Sequence, residues 1–141
     1  MTGRIKGAAT LAMLAALLIM GCSRAVKKSD LTGRYVAKYP FGTDRISLKA
    51  NGEYAQEFTP KTGNKVATTK GRWSYDQATG YVTFENCLIV YDDHWKLAPD
   101  YDVPRNGLCV LPARKLFRTT IVINDDLGWE YVKEDAGKSN P

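Results

Sequence analysis

Residues 44–58 read DRISLKANGEYAQEF, and this stretch decides the fold of the chain. Ile46 and Leu48 alternate with polar residues, which puts both side chains on one face of a β-strand. The Asn51-Gly52 dipeptide follows them and favours the tight turn of a β-hairpin. After the turn the alternation resumes, with Tyr54 at the start of the apolar face. The stretch therefore predicts two antiparallel strands joined by a hairpin.

The same alternation continues beyond this hairpin, and from residue 31 onward no segment has helical periodicity. Strands are predicted at 31–39, 44–49, 53–59, 66–75, 81–90, 108–111, 115–123 and 129–134, of which 108–111 is the weakest. The aromatic residues expected in the core are Tyr35, Tyr54, Phe58, Trp73, Phe84 and Phe117. Because tight turns join the strands, we expect an all-β fold, a single antiparallel meander of seven to eight strands closed into a small barrel. A β-sandwich is the alternative.

Two of the predicted strands share a weak repeated sequence pattern. Gly33-Arg34-Tyr35 and Gly71-Arg72-Trp73 each place a glycine two residues before an aromatic side chain, and a hairpin partner follows. Glycine within a strand often marks a bend or a close backbone approach. The pattern resembles the Gly-x-Trp/Tyr strands of lipocalin-like bacterial domains, over about half of the mature chain. This resemblance implies a barrel that carries a small apolar ligand, although Tyr35 stands where lipocalins have tryptophan.

The first 22 residues combine a basic start, an apolar run and a small residue before a cysteine. Arg4 and Lys6 supply the positive charge, and residues 8–20 contain Thr10 as their one polar residue. This run is shorter than the roughly 20 apolar residues that a transmembrane helix needs. The pattern is typical of a secretory signal peptide. Its ending, residues 19–22, resembles the lipobox of bacterial lipoproteins.

The lipobox resemblance implies that the chain is cleaved before Cys22 and that acyl chains on this cysteine hold it to a membrane. Residues 1–21 would then be the signal peptide, 22–30 a lipidated polar tether, 31–134 the barrel domain and 135–141 a disordered tail. Ser23 points to the outer membrane, facing the periplasm, by the sorting rule of enteric bacteria. The inner membrane and the cell surface stay open as alternatives.

The charge of the chain excludes one class of partner. The sequence has 20 basic and 15 acidic side chains, a formal net charge of +5, and loss of Arg4 and Lys6 with the signal peptide leaves +3. No basic patch with interleaved aromatic residues is present, so nucleic acid is not an expected partner. In the tether, Arg24, Lys27 and Lys28 would lie beside lipid headgroups or in solvent.

With Cys22 assigned to lipid, Cys87 and Cys109 remain as an even pair in an oxidising compartment. A disulfide between them is the default expectation. A reactive thiol or a metal pair is the alternative, but their spacing and the shortage of histidine support neither. Strand alternation places Cys87 on the face of the 81–90 strand opposite to the core.

Residues 91–107 interrupt the strand pattern with a long loop that contains His94, Trp95 and Tyr101. Exposed aromatic residues on a braced loop are typical of a binding surface, but the same residues would also serve to close one end of the barrel. The sequence leaves both interpretations open.

The function expected from the sequence is therefore a non-enzymatic binding module that acts through residues 91–107. The partner would be an envelope protein or another envelope component, and a lipocalin-like carrier is the alternative. His94 is the only histidine, so a histidine-based catalytic triad or a multi-histidine metal site is excluded. No cofactor or metal is expected, and the acidic residues of the loop match no calcium-binding motif. The sequence makes no prediction of the oligomeric state.

Overall fold

The computed structural model describes residues 25–62, 65–105 and 107–137. A short helix α1 (Lys28–Leu31) precedes eight strands, which are β1 (Gly33–Tyr39), β2 (Gly42–Leu48), β3 (Glu53–Pro60), β4 (Ala67–Asp76), β5 (Tyr81–Glu85), β6 (Leu108–Lys115), β7 (Thr119–Asn124) and β8 (Trp129–Lys133). Each strand pairs antiparallel with the next, and β1 pairs with β8 to close the barrel. The predicted all-β barrel is confirmed, and its closure excludes the sandwich. The predicted signal peptide, Cys22, Ser23 and the last four residues lie outside the described part of the chain.

The hairpin of residues 44–58 forms as predicted. Leu48 pairs with Tyr54, and Lys49 donates its amide hydrogen to the Glu53 carbonyl at 2.9 Å. Gly52 has a φ of 84°, a left-handed conformation that glycine adopts without steric cost. The side chain of Asn51 accepts a hydrogen bond from the Glu53 amide at 3.0 Å.

Because neighbouring strands run in opposite directions, successive connections lie alternately at the two ends of the barrel. We call the tether end the one that holds residues 25–32 and the turns at 49–52, 77–80 and 116–118. We call the loop end the one that holds the turns at 40–41 and 125–128 and the long connection between β5 and β6. The two ends therefore carry different sets of connections.

The start of the described chain is docked onto the tether end. Val26 and Leu31 are buried, and the hydroxyl of Tyr75 donates to the Val26 carbonyl at 3.0 Å. The hydroxyl of Tyr35 donates to the Leu31 carbonyl at 2.9 Å, so α1 covers the core at this end. Residues 25–30, predicted as part of a polar tether, are thus packed on the barrel.

The strand predicted for residues 81–90 is too long, because β5 ends at Glu85. Asn86 takes a left-handed conformation with a φ of 57°. Asparagine tolerates this region better than most residues, and one such residue ends the strand alternation. Beyond it the chain turns into the barrel as residues 86–91, which we call the interior segment, with Leu88 and Val90 buried.

Three polar side chains on the inner faces of β3 and β4 hold the entry of the interior segment. The Tyr54 hydroxyl donates to the Glu85 carbonyl at 2.7 Å, and the Thr69 hydroxyl donates to the Asn86 carbonyl at 2.9 Å. Gln56 donates to the Leu88 carbonyl at 3.2 Å and accepts from the Leu88 amide at 2.9 Å. These bonds satisfy backbone groups that would otherwise be buried without partners.

The prediction that Phe117 lies in the core is wrong. The other five aromatic residues predicted there are buried, but Phe117 lies in the turn between β6 and β7 and its side chain is 98% exposed. The alternation in the sequence extends over residues 115–123, but the strand begins only at Thr119. Phe117 therefore precedes the strand, and the alternation does not predict which way its side chain points.

Candidate functional site

The first half of the long loop is a small hairpin rather than an irregular coil. Tyr91 and Leu97 form an isolated bridge, and the Ala98 amide donates to the Val90 carbonyl at 3.0 Å. At its tip, the side chain of Asp92 accepts hydrogen bonds from the amides of His94, at 2.9 Å, and Lys96, at 3.0 Å. These bonds, with that from Lys96 contributing most, lower the pKa of the Asp92 carboxyl. The carboxylate therefore fixes the tip of the hairpin.

Trp95 lies at this tip in an unusual conformation. Its φ is 59°, and a bulky side chain in the left-handed region is uncommon and strained. The ring lies against two others, with centroids 5.1 Å from Tyr91 and 5.8 Å from Trp129, yet 41% of the residue stays exposed. Trp95 is thus a supported aromatic surface that faces solvent.

The rings beneath Trp95 form a continuous aromatic layer across the loop end. Tyr39 is central to it, because its ring packs edge-on against Trp129 at 4.9 Å and stacks on Phe41 at 5.2 Å. The members of this aromatic layer are Tyr39, Phe41, Phe58, Tyr91, Trp95, Tyr101 and Trp129. Such a layer positions the exposed ring with little conformational freedom.

The three predicted loop residues have different environments. Tyr101 is buried, packs edge-on against Phe58 at 5.6 Å and donates its hydroxyl to the Lys65 carbonyl at 2.6 Å. It closes the end of the barrel, which is one of the two interpretations left open by the sequence. His94 is exposed beside Trp95. The structure therefore leaves His94 and Trp95 accessible and assigns Tyr101 to support.

Cys87 and Cys109 lie at disulfide distance, with their Cα atoms 6.2 Å apart. The placement of Cys87 on the outer face is wrong, because Cys87 is 5% exposed and belongs to the core. The left-handed Asn86 rotates the chain inward before Cys87, so the strand alternation no longer applies. The pair connects the interior segment to β6, and it therefore braces the base of the loop.

A buried polar cluster lies below the aromatic layer. The Oδ2 atom of Asp44 accepts hydrogen bonds from the Tyr131 hydroxyl at 2.6 Å and from the Gln56 amide nitrogen at 2.9 Å. Its Oδ1 atom has no hydrogen-bond partner among the described residues. Burial raises the pKa of Asp44 to about 7, although the bonds from Tyr131 and Gln56 oppose the rise. The same Gln56 holds Leu88, so the carboxyl is linked to the interior segment.

The space left inside the barrel is small. The interior cavity has a volume of about 40 Å³ and is lined mainly by apolar side chains, among them Leu88, Ile89 and Leu111. A water molecule occupies about 30 Å³ of liquid, whereas pockets for small organic ligands start near 300 Å³. The interior segment thus fills the volume that a carrier would need for its ligand.

A broad concave surface lies outside the barrel, across strands β1–β4, with a volume of about 800 Å³. It carries charges of both signs, including Arg34, Arg45, Lys70, Glu57 and Glu134. Open, mixed-charge surfaces of this kind are typical of the solvated face of a sheet, and no convergent set of side chains marks it as a site.

Comparison with protein-family models, curated proteins and solved structures finds no match to this chain. The lipobox and lipocalin-like resemblances therefore stay predictions. Among the residues described, none of the helices has the length and apolar character needed to cross a membrane.

Sequence reasoning missed the cluster around Asp44, although a signal for it was present. Asp44 is in phase with Ile46 and Leu48 on β2, and Gln56 is in phase with Tyr54 and Phe58 on β3. Two polar residues at core positions of paired strands indicate a buried polar pair.

Proposed function

We propose that this chain is an envelope lipoprotein, anchored through Cys22, whose loop end is a non-enzymatic binding surface for an envelope component. The observation that carries the proposal is the conformation of Trp95, whose backbone is strained and whose half-exposed ring lies over an aromatic layer. Strained backbone persists only where the surrounding structure holds it, and it concentrates at functional sites. Tryptophan is also among the residues that contribute most to protein interfaces.

The positions of the two ends support the same proposal. The described chain begins at the tether end, three residues after Cys22, and Trp95 lies at the loop end. A barrel anchored through Cys22 would direct the loop end away from the bilayer. Residues 92–97 would then be accessible to partners in the periplasm.

The carrier alternative receives less support. A cavity of about 40 Å³ is far smaller than an apolar ligand. To admit a ligand, the interior segment would have to leave the barrel. This would break the hydrogen bonds between Gln56 and Leu88 and expose the buried side chain of Val90.

Site-specific crosslinking tests the binding surface. A photoreactive amino acid at position 94, beside Trp95, is activated in intact cells, and adducts are purified from membranes and identified by mass spectrometry. We expect one discrete adduct with an envelope component. Trp95→Ala should abolish that adduct because the ring provides the contact.

The matched control is Leu127→Ala, which removes another partly exposed apolar side chain from a turn at the same end. This variant should leave the adduct unchanged. Equal adduct yields for wild type and Trp95→Ala would contradict the proposed surface.

A further inference from the structure

Two large apolar side chains are exposed next to each other at the tether end. Phe117 is 98% exposed and Leu116 is 76% exposed, both in the turn between β6 and β7. Single exposed apolar residues are common on protein surfaces, whereas this adjacent pair forms a continuous apolar surface at the tip of a turn.

This apolar tip is tied to the beginning of the described chain. Lys115, the residue before the tip, pairs with Asp30 at 2.8 Å between Nζ and Oδ1. Ala25, Val26 and Leu116 line the same surface depression. The tip and the first described residues therefore occupy one patch of the tether end.

The chain before this patch is short. Cys22 precedes Ala25 by three residues, and three residues span at most about 10 Å. Val26 is buried against the barrel, so the docked segment cannot add length. The inference rests on the proposed lipidation of Cys22, which would hold the tether end within about 10 Å of the bilayer surface.

The side chains around the apolar tip carry positive charges that favour contact with a bilayer surface. Arg118 directly follows Phe117, and Lys27 and Lys28 of the docked segment are exposed. Arg24 adds a further positive charge in the sequence. Basic side chains near a membrane are attracted to anionic headgroups, and aromatic side chains partition into the interfacial region.

We propose that Leu116 and Phe117 insert into the bilayer surface beside the lipidated Cys22, so that the barrel has two attachment points on one membrane. A single flexible attachment would let the barrel tumble. A second attachment at the same end fixes its long axis relative to the membrane and keeps the loop end directed outward.

Fluorescence quenching by labelled lipid tests this insertion. The mature lipidated protein, which begins at Cys22, is reconstituted into vesicles of phosphatidylethanolamine and phosphatidylglycerol that contain lipids with a nitroxide on the acyl chain. Arg118→Cys carries an environment-sensitive fluorophore, which leaves Leu116 and Phe117 intact. Leu127→Cys carries the same fluorophore at the loop end as the matched control. We expect the label at position 118 to be quenched severalfold more strongly than the label at position 127.

A second variant isolates the apolar pair. Replacing Leu116 and Phe117 by serine in the Arg118→Cys background should reduce the quenching to the level of the control, and circular dichroism should be unchanged because both side chains are exposed. Quenching at position 118 no greater than at position 127 would overturn the inference. So would a blue-shifted label at position 118 without lipid quenching, which would indicate a protein partner such as a second copy.

Mass spectrometry of the amino-terminal peptide from the same sample separates the two proposals. An acylated Cys22 with an unquenched label at position 118 would overturn only the insertion. An unmodified Cys22 would overturn the anchor and the insertion together, and the crosslinking from position 94 would still test the binding surface.

Discussion

At the scale of single residues, Asp44 is the group whose chemistry depends most on the fold. It is fully enclosed, and the groups that face it are the amide of Gln56 and the hydroxyl of Tyr131, with Tyr39 and Tyr91 nearby. The usual pKa of an aspartate is 3.8, and in the folded protein it is about 7. Between pH 3.8 and about pH 7, Asp44 therefore keeps a proton in the folded chain that it has released in the unfolded chain.

This difference makes the stability of the protein depend on pH. The contribution of protonated Asp44 is fully present below about pH 4 and is lost as the pH rises through about 7. Asp44→Asn keeps an uncharged acceptor for Tyr131 and removes the titration. We expect the variant to match wild type near pH 4 and to exceed it by a few kcal/mol in unfolding free energy near pH 8.

Urea unfolding of both proteins at several pH values measures this difference. The contributions of other titrating groups cancel from the difference in unfolding free energy, because both proteins contain those groups. Curves of unfolding free energy against pH that stay parallel from pH 4 to pH 8 would show that Asp44 is ionised throughout.

Gly71 is required because its surroundings leave no room for a side chain. A Cβ atom at this position would overlap the carbonyl oxygen of Glu85 and lie 2.9 Å from the ring of Tyr54. Because the chain crosses the inner face of β4 here, we expect Gly71→Ala to lower the unfolding free energy by about 1–3 kcal/mol. Thermal denaturation measures it. Gly107→Ala is the control, since a Cβ there meets no atom within 4 Å, and an equal loss in both variants would refute the steric explanation.

At the scale of elements, the long loop divides into a support and a presented surface. The Tyr101 hydroxyl donates to the Lys65 carbonyl, so Tyr101→Phe should cost about 1 kcal/mol, and Tyr101→Ala about 3–5 kcal/mol through the cavity it leaves. Trp95 is 41% exposed, so Trp95→Ala should cost less, about 2 kcal/mol.

Chemical denaturation of the three variants gives this ranking directly. A larger loss for Trp95→Ala than for Tyr101→Ala would mean that the tryptophan ring closes the barrel, and it would remove the reason to regard the ring as a binding surface.

The elements also show what sequence patterns can and cannot predict. Period-two alternation predicts the strands and the barrel because each strand has one buried face along its whole length. It fails at Asn86, where one left-handed residue sends Cys87 and Leu88 inward. It fails again at Phe117, because a turn and a strand can share the same local alternation. The interior segment depends on contacts with Gln56 and Thr69, which are remote in sequence, and no local pattern encodes those contacts.

At the scale of the whole molecule, the barrel has two ends with different surfaces. The tether end carries the docked segment 25–31, the apolar tip at residues 116–117 and a group of basic side chains. The loop end carries the aromatic layer and the exposed ring of Trp95. The interior between them is filled by residues 86–91, so the two ends, rather than a central cavity, offer surfaces for interaction.

Crosslinking from both ends of the same anchored protein tests the central claim most directly. One variant carries the photoreactive residue at position 94 and the other at position 77, in an exposed turn at the tether end. After irradiation of intact cells, adducts from the two positions are compared by mass spectrometry. The account predicts an adduct with an envelope component from position 94 that is missing from position 77. The same adduct from position 77 alone, or with equal yield from both positions, would contradict it.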